Sequence, residues 1–135
     1  MLRTIAACAL ALLAGCSTSA VDVDKAPRAD ASALLDQALA LPAMDRGTVR
    51  IARDGGVLGQ DQTVLVYLDS RHVANVKAGR VLELHVPAGA HNLGVQAGDA
   101  SRSIRYVDVY VQAGRVHDFR ISASSSSDWN ITALK

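Results

Sequence analysis

The stretch Val81–Ala97, "VLELHVPAGAHNLGVQA", decides the fold class. Leu82, Leu84 and Val86 alternate with Glu83 and His85. Beyond Pro87-Ala88-Gly89-Ala90, Leu93 and Val95 alternate with Asn92, Gly94 and Gln96. A period of two marks β-strands with one buried face, because successive side chains point to opposite sides of a sheet. Reading Pro87–Ala90 as a four-residue hairpin loop pairs Val86 with His91, Leu84 with Leu93 and Leu82 with Val95. One face is then wholly apolar and the other carries Glu83, His85, Asn92, Gly94 and Gln96. His85 and His91 fall on opposite faces and share no metal on such a hairpin. His91, at the rim of the apolar face, is expected to hydrogen-bond a turn carbonyl rather than act as a base or ligand.

The same period runs outward from this stretch. Strands are expected at Thr48–Arg53, Thr63–Asp69, His72–Val76, Val81–Val86, His91–Ala97, Ser103–Val111, Val116–Ser122 and Trp129–Leu134. Glycine-containing turns separate them and no helical pattern intervenes, so the expected fold is all-β: an antiparallel β-sandwich of about seven to eight strands. Ahead of it, "ADASALLDQALALP" spaces Leu34, Leu35, Ala38, Leu39 and Leu41 as one short amphipathic helix, with Asp30 or Ser32 as N-cap and Pro42 as stop. Around "VQAGRV", Val111–Val116, a two-residue turn would place Asp118 in the core, where an unpaired carboxylate is costly. An odd-length loop pairing Val111 with His117 and Val109 with Phe119 avoids this and predicts a bulge with Gly114 at positive φ.

The first 16 residues, "MLRTIAACALALLAGC", have a short region with Arg3, an apolar run from Ile5 to Leu13, and small residues before Cys16. This is the form of a secretory signal, residues 1–15. Nine residues rising about 1.5 Å each fall far short of the roughly 30 Å hydrocarbon core. The tetrad Leu13-Ala14-Gly15-Cys16 resembles the lipobox of bacterial lipoproteins, which implies lipidation of Cys16 by a diacylglycerol and a further amide-linked chain. Such multiple acyl chains anchor a protein to a membrane stably. Ser17, rather than Asp, resembles the signal for an outer-membrane destination facing the periplasm. Residues 16–30 read as a flexible tether and 31–135 as a single domain.

Of 14 basic residues only Arg3 precedes Cys16, so the chain from Cys16 onward carries 13 basic against 13 acidic residues. That balance argues against a nucleic-acid partner. Cys8 and Cys16 are the two cysteines, which leaves the domain without a disulfide. His72 and His117 stand alone, and there is no G-x-S-x-G, P-loop or Cys/His cluster. Asp54, Asp61, Asp69, Asp99, Asp108 and Asp118 fall near turns or on solvent-facing positions. No catalytic residue, metal ligand or cofactor is expected.

Three pieces together resemble a known family: "VYLDSRHVANVKAG" (Val66–Gly79), "VPAGAHNL" (Val86–Leu93) and "VYVQAGRVHDFRI" (Val109–Ile121). They are similar to small bacterial lipoproteins classed only as a domain of unknown function, and to PEGA-type β-sandwich modules. The chain departs from the pattern at Asp69-Ser70, where Asp-Gly is common, so that turn need not require positive φ. It departs again at "VHDF", Val116–Phe119, where aromatics are usual. The resemblance implies a non-enzymatic structural or interaction module of the cell envelope, held to the membrane by its lipid, with an envelope protein as partner. Two alternatives remain open: a small-ligand or glycan-binding domain with Tyr106, Tyr110 and Trp129 as an aromatic platform, and an envelope hydrolase using gathered Asp and His residues.

Overall fold

The computed structural model describes residues 18–98, 103–125 and 127–135. The signal, Cys8, Cys16 and Asp99 lie outside the described residues. Eight strands occur among the described residues: β1 (Arg46–Arg53), β2 (Val64–Leu68), β3 (Arg71–Val76), β4 (Val81–Pro87), β5 (Gly89–Ala97), β6 (Arg105–Val111), β7 (Val116–Ser125) and β8 (Asp128–Ala133). They form two four-stranded sheets, ordered β4-β1-β7-β8 and β3-β2-β5-β6. Their inner faces share one core that includes Val49, Ile51, Val64, Val66, Leu84 and Ile121, all fully buried. Each such side chain contributes about 1.5–3 kcal/mol by leaving water.

The apolar face expected from Val81–Ala97 is the core face: Leu82, Leu84, Val86, Leu93 and Val95 are all buried. The hairpin is not there. β4 pairs with β1, whereas β5 pairs with β2 and β6, so Pro87–Ala90 carries the chain from one sheet to the other. Alternation reports which side chains face the core. It does not report whether two strands lie side by side or face each other across that core.

The same correction applies to the next candidate hairpin. β6 and β7 lie in different sheets, so the expected pairing of Val111 with His117 and its bulge do not occur. The burial choice behind it holds: Val109, Val111, Phe119 and Ile121 are buried, and Asp118 turns outward to Arg50. Gly114 has φ +72°, as expected. Gly114→Val is therefore expected to destabilise the domain by about 1 kcal/mol or more, because a β-branched residue is strained there, while exposed Arg115→Ala stays within about 0.5 kcal/mol. Equilibrium urea unfolding of the two variants checks this; equal midpoints would refute it.

Among the eight described strands one pairing is not antiparallel. β1 and β7 run parallel, with Ile51 opposite Phe119. Each connection reverses the chain, so strands alternate in direction and two odd-numbered strands brought side by side must be parallel.

The expected helix is replaced by two 3-10 turns, Ala31–Ala33 and Gln37–Ala40. Between them Leu34 bridges Ala74, and the Leu35 N–H donates to the Val73 carbonyl at 2.8 Å. An isolated helix this short is marginal in water, and the extended break gives edge strand β3 a partner for its open carbonyl. Leu39 alone of the leucine stripe is buried; Asp30 stands at the N-cap of the first turn, as expected, but without a side-chain bond, and Asp36 caps the second by accepting from the Ala38 N–H at 3.1 Å.

The tether reading also changes, from Thr18 on. Thr18 is buried, Ser19 and Gly55 exchange backbone hydrogen bonds, Arg28 bridges Val81, and the Ala29 N–H donates to the Val81 carbonyl. Small polar residues lack the apolar period that marks docking, yet their backbone groups complete the ends of sheet strands.

Candidate functional site

β1 ends on Arg53 and is followed by Asp54, both buried. Arg53 continues the core-facing parity of Val49 and Ile51, so its guanidinium enters the sandwich. Nη1 donates to the carbonyls of Gln62 and Val76, both at 2.6 Å, and Nη2 to that of Gly59 at 2.9 Å. The guanidinium carbon stands 4.7 Å from the Trp129 ring centroid, a cation–π contact. Burial pulls its pKa down to about 10, which leaves it charged at neutral pH. Arg53 thereby binds the loop between β1 and β2 to the end of β3.

Asp54 falls near a turn, just past β1, as expected, but its fully buried side chain does not face solvent. Instead its two carboxylate oxygens accept from Arg120 Nε at 2.8 Å and Nη2 at 2.7 Å. Oδ2 also accepts from the Thr18 hydroxyl at 2.6 Å, and that hydroxyl accepts from the Ala123 N–H at 3.0 Å. The carboxylate raises the Arg120 pKa against the opposing effect of burial. On the outer face of the same sheet Arg50 makes a two-point bond to Asp118 and a third to Asp24.

At the opposite end of the sandwich, Asp69 and Ser70 form the β2–β3 turn with φ +50° and +67°. The turn requires positive φ after all, without glycine. Asp69 supplies what glycine lacks: Oδ1 accepts from the Asn92 N–H at 3.0 Å and Oδ2 contacts His91 Nδ1 at 2.6 Å. The other ring nitrogen of His91 lies 2.7 Å from the Pro87 carbonyl, the turn-carbonyl bond expected of it. Both ring nitrogens thus lie against oxygens of the scaffold, Asp69 Oδ2 and the Pro87 carbonyl. Burial alone would raise the Asp69 carboxyl, but the bonds from His91 and Asn92 and the charges of His91 and Arg71 outweigh it and hold it below its ordinary value.

The remaining histidines are separately engaged. His72 Nε2 lies 2.7 Å from Asn75 Oδ1, His117 Nε2 accepts from the Gln112 N–H, and His85 lies near Thr48 and Glu83. Among the described residues no group of three or more His, Cys, Asp or Glu side chains is placed to hold a metal ion.

The aromatic platform is rearranged. Trp129 is 3 % exposed, with its indole N–H bonded to Gln62, and takes no part in one. Tyr106 and Tyr110 are 47 % and 69 % exposed on edge strand β6. The register Tyr67–Gly94–Tyr106 adds Tyr67 to the same outer face, its ring 5.3 Å from that of His72 and tilted by 30°. Gly94 is required here, since a Cβ would stand 2.7 Å from the Tyr106 ring. Beside Tyr110 a shallow hollow is lined by Asp69, Ala90, His91, Asn92, Asp108 and Val109. Near the other end a cleft of about 270 Å³ is lined by Ala29, Asp30, Thr63, Asn75, Lys77 and Arg80. Spacing in sequence hid this face, because only strand order places Tyr67 in line with Tyr106.

No family model and no curated protein matches the chain.

Proposed function

We propose that this chain is a lipoprotein, cleaved before Cys16 and lipidated on it, whose β-sandwich serves the outer membrane's periplasmic side as a non-enzymatic structural or interaction module. The observation that carries the reading is Leu13-Ala14-Gly15-Cys16 directly after the apolar run Ile5–Leu13. The resemblance to small bacterial lipoproteins and Ser17 at the sorting position support it. So does the way the domain spends its ionisable groups: Asp54, Arg53 and His91 each bond to the scaffold rather than converge on one hollow.

Cells grown with an alkyne fatty acid are expected to label the wild-type chain and to carry it in the membrane fraction. Cys16→Ser is expected to abolish the label and to leave the chain unprocessed or soluble. A Cys16→Ser chain that is processed and retained in the membrane like wild type would refute the assignment.

A second reading is favoured by one observation, the line of Tyr67, Tyr106 and Tyr110 on one outer face beside Asn92. Rings standing on a flat sheet suit stacking on the apolar face of a sugar, with amide groups for its hydroxyls. Glycan-fragment titration followed through tyrosine fluorescence tests it, with Tyr106→Ala expected to abolish any saturable change.

A further inference from the structure

One end of the sandwich gathers the chain segment that follows Cys16. Thr18 is buried there against Asp54 and Ala123, and Ser19 is joined to Gly55 by two backbone hydrogen bonds. Consecutive Cα atoms are about 3.8 Å apart, so the Cα of Cys16 lies within about 7.6 Å of that of Thr18 whatever path Ser17 takes. An acyl chain carried by Cys16 would therefore enter a bilayer beside this end, two residues from the docked Thr18.

The residues surrounding that point suit a headgroup layer. A Cβ on Gly56 would lie 3.2 Å from the Ser19 hydroxyl, which sets the Gly55–Val57 turn beside the exit point. Val57, at its tip, is 84 % exposed, an apolar side chain held out in solvent. The β3–β4 turn adjoins it: Gly79 donates to the carbonyls of Arg53 and Asp54, and Lys77 and Arg80 on either side are exposed. The acidic residues of the neighbouring segments are Asp22 and Asp24, both exposed beyond Val21, with Asp30, Asp54 and Asp61; Asp24 is bonded to Arg50. Asp54 is taken by Arg120, and among the described residues no ion pair joins Lys77 or Arg80 to a carboxylate.

We propose that this end, made of Thr18–Ser19, the Gly55–Val57 turn and the Lys77–Arg80 turn, lies directly on an anionic phospholipid surface. Val57 enters the interface and Lys77 and Arg80 meet lipid phosphates. The proposal rests on the lipoprotein reading above. Its consequence is orientation: the Asp69-Ser70 turn, Pro87–Ala90 and Gln112–Arg115 form the far end. β1 alone, with 8 residues rising about 3.3 Å each, separates the two ends by about 25 Å.

The test uses the full lipidated chain in vesicles of phosphatidylcholine, alone or mixed with phosphatidylglycerol, doped with a headgroup-nitroxide lipid. A fluorophore is placed through Val57→Cys or, at the far end, through exposed Ala113→Cys. The unsubstituted chain is expected to take no thiol label, because a thioether occupies Cys16 and Cys8 has left with the signal. Quenching is expected to be severalfold stronger at position 57 than at 113 and to increase with phosphatidylglycerol. Each basic side chain near such a surface is worth about fivefold in attraction, so Lys77→Glu with Arg80→Glu is expected to remove that increase. A chain whose Cys16 is blocked and which floats with the vesicles, yet is quenched equally at 57 and 113, overturns the orientation alone. Quenching at 57 indifferent to phosphatidylglycerol overturns the anionic surface. A freely labelled Cys16 overturns the lipoprotein reading and this one with it.

Discussion

Replacing Asp54 with alanine is expected to cost the domain about 2–3 kcal/mol, because it takes a fully buried carboxylate from the buried Thr18 hydroxyl and from Arg120, whose side chain, 35 % exposed, is partly screened by water. Arg120 loses both of its short bonds, and the Thr18 hydroxyl loses its acceptor. Thr18 is then held to the sheet through Ala123 alone of these partners, so the amino-terminal segment should loosen with the loss of stability. Urea unfolding measures the first effect, and proteolysis between Thr18 and Asp30 the second. Arg120→Met is expected to cost more, about 3–5 kcal/mol, since it leaves a fully buried carboxylate without its cation. Combining Arg120→Met with Asp54→Leu should recover much of either loss, as replacing both partners of a buried pair with apolar groups is often close to neutral. A loss below about 1 kcal/mol for Asp54→Ala would mean that the pair does not hold this end together.

Arg53→Met is expected to cost about 2–3 kcal/mol. Methionine fills similar volume and relieves the burial of a charge, which is the burden seen in the guanidinium's lowered pKa. It leaves the carbonyls of Gly59, Gln62 and Val76 without their donor, at about 1–3 kcal/mol for each one that water does not reach. The balance is a net loss. Arg53→Lys should fall between, because one ammonium cannot reproduce a planar fork that serves three acceptors and stacks on Trp129. The folded-state emission of Trp129 is expected to change in both variants as the cation leaves its ring. Unaltered emission with an unaltered urea midpoint would refute the placement of the guanidinium.

Arg53 shows how near the surface of the sequence some of this lay. The row Val49, Ile51, Arg53 points a charged side chain inward by parity alone, and the structure adds only which carbonyls receive it. Asp54 and Arg120 lay deeper. They are 66 positions apart, and they meet because β1 pairs with β7, a parallel contact that no local pattern announces. The tyrosine face is similar: Tyr67 and Tyr106 join one line through Gly94 on the strand between them. Thr18 had no signal at all, since a short polar segment docks through backbone groups that every residue possesses.

By itself the sequence determined the all-β class, the positions of all eight strands to within a few residues, and the sides on which Leu82, Leu84, Val86, Leu93, Val95, Phe119 and Ile121 lie. It also determined the positive φ at Gly114. These follow from alternation and turn chemistry, which act between residues close along the chain. Only the tertiary structure decided that Pro87–Ala90 and Gln112–Arg115 cross between sheets, that Leu34 extends along β3 in place of a helix, and that Thr18 seals Asp54. In a sandwich, a strand buries the same face whether its successor lies beside it or across the core. Strand partners are therefore chosen by how two whole sheets close on each other and cover their edges, not by the pattern within any one strand.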